Sequence, residues 1–109
     1  MRIGEGFARG LQKPIILWLL SHKPRHGYEI MREFNRLTGV KLKPGIVYPF
    51  LHKLEREGFV SGEWVRNGKR KVKHYSLTKN GEFLLQKVKG LFTKPIREFF
   101  LDFIEKSKK

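Results

Sequence analysis

The residues of this chain that could do chemistry are few in kind, and most are cationic. Four histidines, His22, His26, His52 and His74, carry the side chains that ionise nearest neutral pH. Metal binding or acid–base catalysis needs such groups clustered at ligand spacing or paired with a carboxylate. These four lie singly along the chain, and no acid pairs with them in an obvious motif. Gly4-Glu5-Gly6 is too short for a phosphate-cradling loop and precedes no helix of the right kind. Cysteine is absent, which excludes disulfides and thiolate metal sites and fits a reducing compartment. The sequence therefore predicts neither an enzyme nor a bound metal or cofactor.

Positive charge is abundant. There are 24 Lys and Arg against 10 Asp and Glu, a net charge of +14. That excess points to a polyanionic partner, nucleic acid first and an anionic membrane surface second. Its distribution is sharper than its total. No acid occurs from Phe34 to Leu54, a window holding Arg36, Lys41, Lys43 and Lys53. None occurs from Trp64 to Gly81, which holds Arg66, Lys69, Arg70, Lys71, Lys73 and Lys79.

The elements that must carry those windows follow from periodicity. Residues 11–21 read as a central helix, with Pro14 tolerated in its first turn and an apolar block at 15–20. That block is the longest apolar run and is far short of the roughly 18 residues a membrane span needs. A second helix fits 27–37, stopped by Gly39, and a third starts near Pro44. Val47, Phe50, Leu51 and Leu54 form the buried stripe of the third, Gly58 caps it, and Pro49 predicts a local distortion. Strand-like runs at 59–66 and 71–77 flank Asn67-Gly68, which predicts a type I′ hairpin turn. Thr78 is a candidate N-cap for a last helical stretch, kinked or broken near 90–95 by Gly90 and Pro95.

The predicted fold class is therefore mainly α with a small β-hairpin (α+β): three helices, a hairpin, then a helical C-terminal segment. Residues 1–78 form the winged helix-turn-helix part and 79–109 the C-terminal part. A helix that enters the major groove beside a basic hairpin gripping phosphate is the geometry of a winged helix-turn-helix. The candidate DNA-contacting residues are Lys43, Gly45, Ile46, Tyr48, Pro49, His52 and Lys53 on the third helix, and Arg66, Lys69, Arg70, Lys71 and Lys73 on the hairpin. The plainer alternative is that these cations solvate a surface.

Four stretches carry a family resemblance: His26-Gly27-Tyr28-Glu29-Ile30, Pro44 to Pro49, Leu51 to Gly58, and Lys73 to Thr78 with Gly81. In this order they resemble the PadR family of transcriptional regulators, over roughly residues 11–81. The resemblance implies a repressor that binds a palindromic operator as a homodimer, with the C-terminal helix dimerising. It also implies, for some members, a flat aromatic or cationic effector held between subunits. Where PadR-like proteins carry Ser or Thr around the Pro-Gly pair, this chain has Lys43 and Ile46. Ile46 either meets a thymine methyl or points inward, so the operator sequence stays open.

Leu85, Val88, Phe92, Ile96, Phe99, Phe100 and Phe103 step by three or four along the last stretch and are the candidate dimerisation residues. Phe92, Phe99, Phe100 and Phe103 could equally line an effector pocket or serve as core. The polar face of that stretch mixes acids with bases, so it fits an anionic membrane poorly. The N-terminus shows no apolar signal region. The expected partner is double-stranded DNA, with a cytoplasmic location and no membrane. The alternatives are a non-specific architectural DNA-binding protein and an RNA-binding basic protein.

Overall fold

The structure, a computed structural model, describes residues 10–91, 93 and 96–107, with the backbone alone at 96, 100, 106 and 107. The Gly4-Glu5-Gly6 run and the expectations for Phe92 and Pro95 lie outside the described residues, as do the side chains of Ile96 and Phe100. The elements run α1 (Gln12–His22), α2 (Gly27–Thr38), α3 (Pro44–Arg56), β1 (Val60–Asn67), β2 (Arg70–Leu77), α4 (Lys79–Gly90) and α5 (Ile96–Ser107).

Helix α1 is apolar around most of its circumference because it is the hub. Ile16, Leu17, Leu19 and Leu20 are all buried, and α1 packs against α2, β2 and α4. Around it close Ile30 and Phe34 of α2, Val47, Leu51 and Leu54 of α3, Val60 and Tyr75 of the hairpin, and Leu85 of α4. One contiguous core thus unites the three helices, the base of the hairpin and α4.

Helix α2 is set by its ends. His26 is its N-cap: Nδ1 accepts from the Glu29 N–H at 3.3 Å, and the Glu29 carboxylate accepts from the His26 N–H at 3.2 Å. Those two bonds are a capping box, with a histidine where a hydroxyl usually stands. Gly39 closes the helix at φ 77°, donating its N–H to Asn35 O.

Helix α3 stays α-helical through Pro49, so the expected distortion is not seen. The bond that Pro49 cannot make is to the Gly45 carbonyl. Gly45 is exposed in the first turn, so its carbonyl is left to water.

The hairpin differs from the sequence expectation by one residue. Asn67 pairs with Arg70, so the two-residue loop is Gly68-Lys69 rather than Asn67-Gly68. Gly68 has φ 68°, and among the described residues none other than glycine has positive φ. This is the pattern of a type II′ turn, which places glycine first, whereas type I′ needs both central residues left-handed. Asn67 stays extended and lengthens the strand. The base of the hairpin is tied to the body by Arg25, whose backbone exchanges two hydrogen bonds with Tyr75, at 2.8 and 3.1 Å. The Arg25 side chain is itself buried, donating Nε–H to Leu19 O.

Thr78 caps α4, accepting from the Gly81 N–H at 3.1 Å, and its hydroxyl donates to Gly58 O at 2.6 Å. Helix α4 ends at Gly90 and α5 begins at Ile96.

Candidate nucleic-acid interface

The outward face of α3 is the complement of its buried stripe. Val47, Leu51 and Leu54 point into the core, which turns Gly45, Ile46, Pro49, His52, Lys53 and Arg56 to solvent. Ile46 is 43% exposed, which settles its direction: outward. Lys43 is the α3 N-cap residue and supplies no side-chain cap. In the first turn of α3 Pro44 has no N–H and the Ile46 and Val47 N–H groups donate to Lys43 O, so the backbone itself offers an anion little beyond the Gly45 N–H.

Tyr48 is half-buried because its ring lies on Gly27 at the start of α2. A Cβ at Gly27 would fall 2.5 Å from Tyr48 Cε1 and 2.7 Å from its hydroxyl oxygen. The two sequence stretches that contain these residues thus meet in space, and the small residue in one makes room for the aromatic residue in the other.

The hairpin forms the second wall. Side chains alternate between its faces, so Gly62, Trp64 and Arg66 share one face with Tyr75, Lys73 and Lys71. Burial fades from base to tip: Tyr75 is buried, Lys73 half-buried, and Arg66, Lys69, Arg70 and Lys71 exposed. The outer half of the hairpin therefore projects as a wing. Between the wing and the α2–α3 corner lies an open cleft of about 420 Å³, lined by His26, Tyr28, Tyr48, His52, Trp64, Arg70 and Lys71 among others.

Lys73 differs from its neighbours. Its ammonium donates to Glu55 Oε1 of α3 at 2.8 Å and sits over the Tyr75 and Trp64 rings, at 5.3 and 5.9 Å from their centroids. The Glu55 carboxylate holds its pKa above the ordinary lysine value, against the opposing pull of desolvation. Burial pushes the Tyr75 phenol up as well. Lys73 is a strut between α3 and the wing, and its charge is already engaged. By contrast, among the described residues Lys43, Lys53, Arg66, Lys69, Arg70 and Lys71 are in no ion pair.

Of the candidate residues, α3 and the wing bring Tyr48, His52, Arg70, Lys71 and Lys73 to one cleft, with Ile46, Pro49 and Lys53 on the adjoining face of α3. Sequence reasoning missed Trp64, Tyr28 and Glu55. Trp64 opens the second acid-free window, which was a partial signal, whereas Tyr28 stands between Gly27 and Glu29 with none; pairing Glu55 with Lys73 across 18 positions needs the fold. Among the described residues no group of His, Asp or Glu is placed to hold a metal ion.

The candidate dimerisation residues divide. Leu85 is buried in the chain's own core, and what surface it keeps lies in the floor of an apolar groove. Val88 is partly buried on that core and borders the same groove, of about 310 Å³ between α1 and α4, together with Leu11, Pro14, Ile15 and Trp18. On α5, Phe99 stacks on Phe103 with centroids 6.1 Å apart, and both rings are exposed, as are Leu101 and Ile104. No described helix is long and apolar enough to cross a membrane.

Three helices, a two-stranded wing and a helical C-terminal segment define a winged helix-turn-helix protein. Residues 16–87 match the Transcriptional regulator PadR-like family, and the chain belongs to that family, which is one of regulators and not of enzymes. It is similar to the transcriptional regulator YqjI of Escherichia coli, with 30% identity over 77 residues. That match takes in 69% of this chain but 36% of YqjI, so the chain spans about a third of the length of the curated relatives it matches. Among solved structures it is similar to smu.1704 of Streptococcus mutans, with TM-score 0.72, 26% identity, and 91% and 90% of the two chains covered. It is also similar to Bacillus subtilis PadR in complex with operator DNA, with TM-score 0.64, 33% identity, and coverage of 72% of this chain and 45% of that one.

Proposed function

We propose that the chain is a sequence-specific regulator, a repressor by family default, that binds a palindromic operator as a homodimer. In this reading α3 enters the major groove and the wing grips phosphate. The observation that carries it is the continuous cationic face: six unpaired Lys and Arg side chains shared between the exposed side of α3 and the wing, with Glu55 of that region already neutralised by Lys73. Phosphate contacts position a protein on duplex DNA, and base edges specify the site. Lys43 and the wing cations suit the first task; Ile46, Pro49 and His52 are placed for the second. The similarity to a PadR protein solved on operator DNA supports the same orientation.

Dimerisation rests on a different observation. The groove between α1 and α4 is almost purely apolar, and α5 leaves Leu101 and Phe103 in water. Apolar surface of that kind marks a protein partner, and a twofold axis lets each α5 fill the other subunit's groove.

The test separates place from total charge. Lys71→Glu on the wing and Lys87→Glu on α4 change the net charge equally. Fluorescence anisotropy with labelled duplex DNA should show Lys71→Glu weakening binding at least about tenfold, while Lys87→Glu stays within about twofold of the parent. Equal losses from both would mean that charge alone, and not this face, holds the nucleic acid.

A further inference from the structure

Trp64 is an anomaly of the wing. It occupies the middle of β1, on the face turned to the cleft, yet 65% of it is in water. It is not among the apolar side chains packed on the core. Leaving an indole in water gives up the free energy its burial would bring, so the fold itself does not account for it. Its neighbour across the hairpin is Lys73, and the Lys73 ammonium is held by Glu55. The strut therefore keeps the indole at a fixed distance from α3 instead of supplying a free charge.

We propose that Trp64 is a DNA-contacting residue whose indole packs against a deoxyribose of the backbone ridge that enters the cleft. The inference rests on the DNA-binding reading above and adds to it a contact that does not depend on charge. The occupant follows from the surroundings. Beyond the indole, toward the wing tip, the hairpin carries Arg66, Lys69, Arg70 and Lys71 and no acid, with Arg66 and Lys71 on the indole's own face, which suits a polyanion and repels a basic or purely apolar partner. In a duplex strand the phosphates are spaced by sugars. The cations beyond the ring, toward the wing tip, take phosphates and leave the ring facing the apolar side of an adjoining sugar.

Salt dependence separates this contact from the ionic ones. Each phosphate neutralised by Lys or Arg adds about 0.9 to the slope of log K against log salt, because counterions are released. An indole on a sugar releases none. Removing Trp64 should lower affinity equally at every salt concentration.

The experiment uses the full chain and labelled duplex DNA, measuring affinity from 50 to 200 mM salt. Trp64→Ala should weaken binding about tenfold with an unchanged slope, Trp64→Phe should retain most of the affinity, and Lys71→Ala should reduce the slope by about 0.9. In a Trp18→Phe background Trp64 is the one remaining tryptophan, and its emission should change on adding duplex. Unchanged thermal midpoints in the variants exclude misfolding as the cause. Parent-like affinity in Trp64→Ala, together with unaltered Trp64 emission while DNA binds, overturns the proposal and leaves DNA binding intact. So does a changed slope in Trp64→Ala, which would mean the contact is ionic. A larger loss on single-stranded than on duplex DNA would assign the indole to a base and overturn the sugar contact. Failure of the parent to bind any DNA would remove the DNA-binding reading, and this inference with it.

Discussion

Gly27 and Thr78 hold positions that few other residues could fill. Any Cβ at Gly27 collides with the Tyr48 ring, so Gly27→Ala must displace that ring or part α2 from α3. Overpacking of this kind costs about 1–3 kcal/mol, and the urea midpoint should fall accordingly. Because Tyr48 borders the cleft, DNA affinity should fall too. Thr78 makes two bonds with one hydroxyl, to the Gly81 N–H and to Gly58 O, and thereby joins the turn after α3 to the start of α4. Thr78→Ala should cost about 1–2 kcal/mol in the same measurement, with Thr78→Ser recovering most of it. Thr78 was legible as a cap because its chemistry is local. The direction of Ile46 was not, since a residue between two helical faces is turned by the packing of its neighbours.

The wing carries four of the six free cations of the DNA-facing surface, and it can be perturbed at its tip and at its base. Gly68 has positive φ at the first position of the turn, so Gly68→Ala puts a Cβ in the left-handed region at about 1–2 kcal/mol and should loosen the wing tip. Amide exchange in β1 and β2 would quicken, with α1 and α2 unchanged. The Glu55–Lys73 strut gives the wing a pH dependence. The folded pKa of Lys73 is raised by Glu55 and that of Tyr75 by burial. Both contributions are fully present below the unfolded pKa values, about 10 to 10.4, and are lost as pH rises through the folded ones. Stability should therefore decline above about pH 10, and Lys73→Met should flatten part of that decline. The existence of the hairpin was legible from its two runs and the turn dipeptide. Its register was not, because Asn67-Gly68 suits a type I′ turn locally, and the choice of Gly68-Lys69 comes with the pairing of Asn67 to Arg70. The role of Lys73 was hidden for a similar reason: as a sequence it is one more cation in a basic window.

For the whole molecule, the division of labour is between a cationic face made by α3 and the wing and apolar surface found in the α1–α4 groove and on α5. The composition announced both, through the acid-free windows and the aromatic C-terminal stretch. Which aromatic and aliphatic residues are core and which are surface needed the packing: Leu85 belongs to the core, Leu101 and Phe103 to the surface. A charge on that apolar surface, as in Phe103→Glu, should shift sedimentation from dimer toward monomer and weaken DNA binding, leaving each subunit folded.

The central claim is that two copies of this chain read a symmetric duplex site. Selection from a pool of random duplex DNA, followed by affinity against salt on the winners, tests it most directly. A palindromic consensus is expected, with half-sites about one helical turn apart. Affinity should fall on the order of 10³- to 10⁵-fold between 50 and 200 mM salt, as about 6 to 10 phosphate contacts require. Steep salt dependence with no consensus would contradict it, and would leave a basic winged helix that binds nucleic acid without reading it.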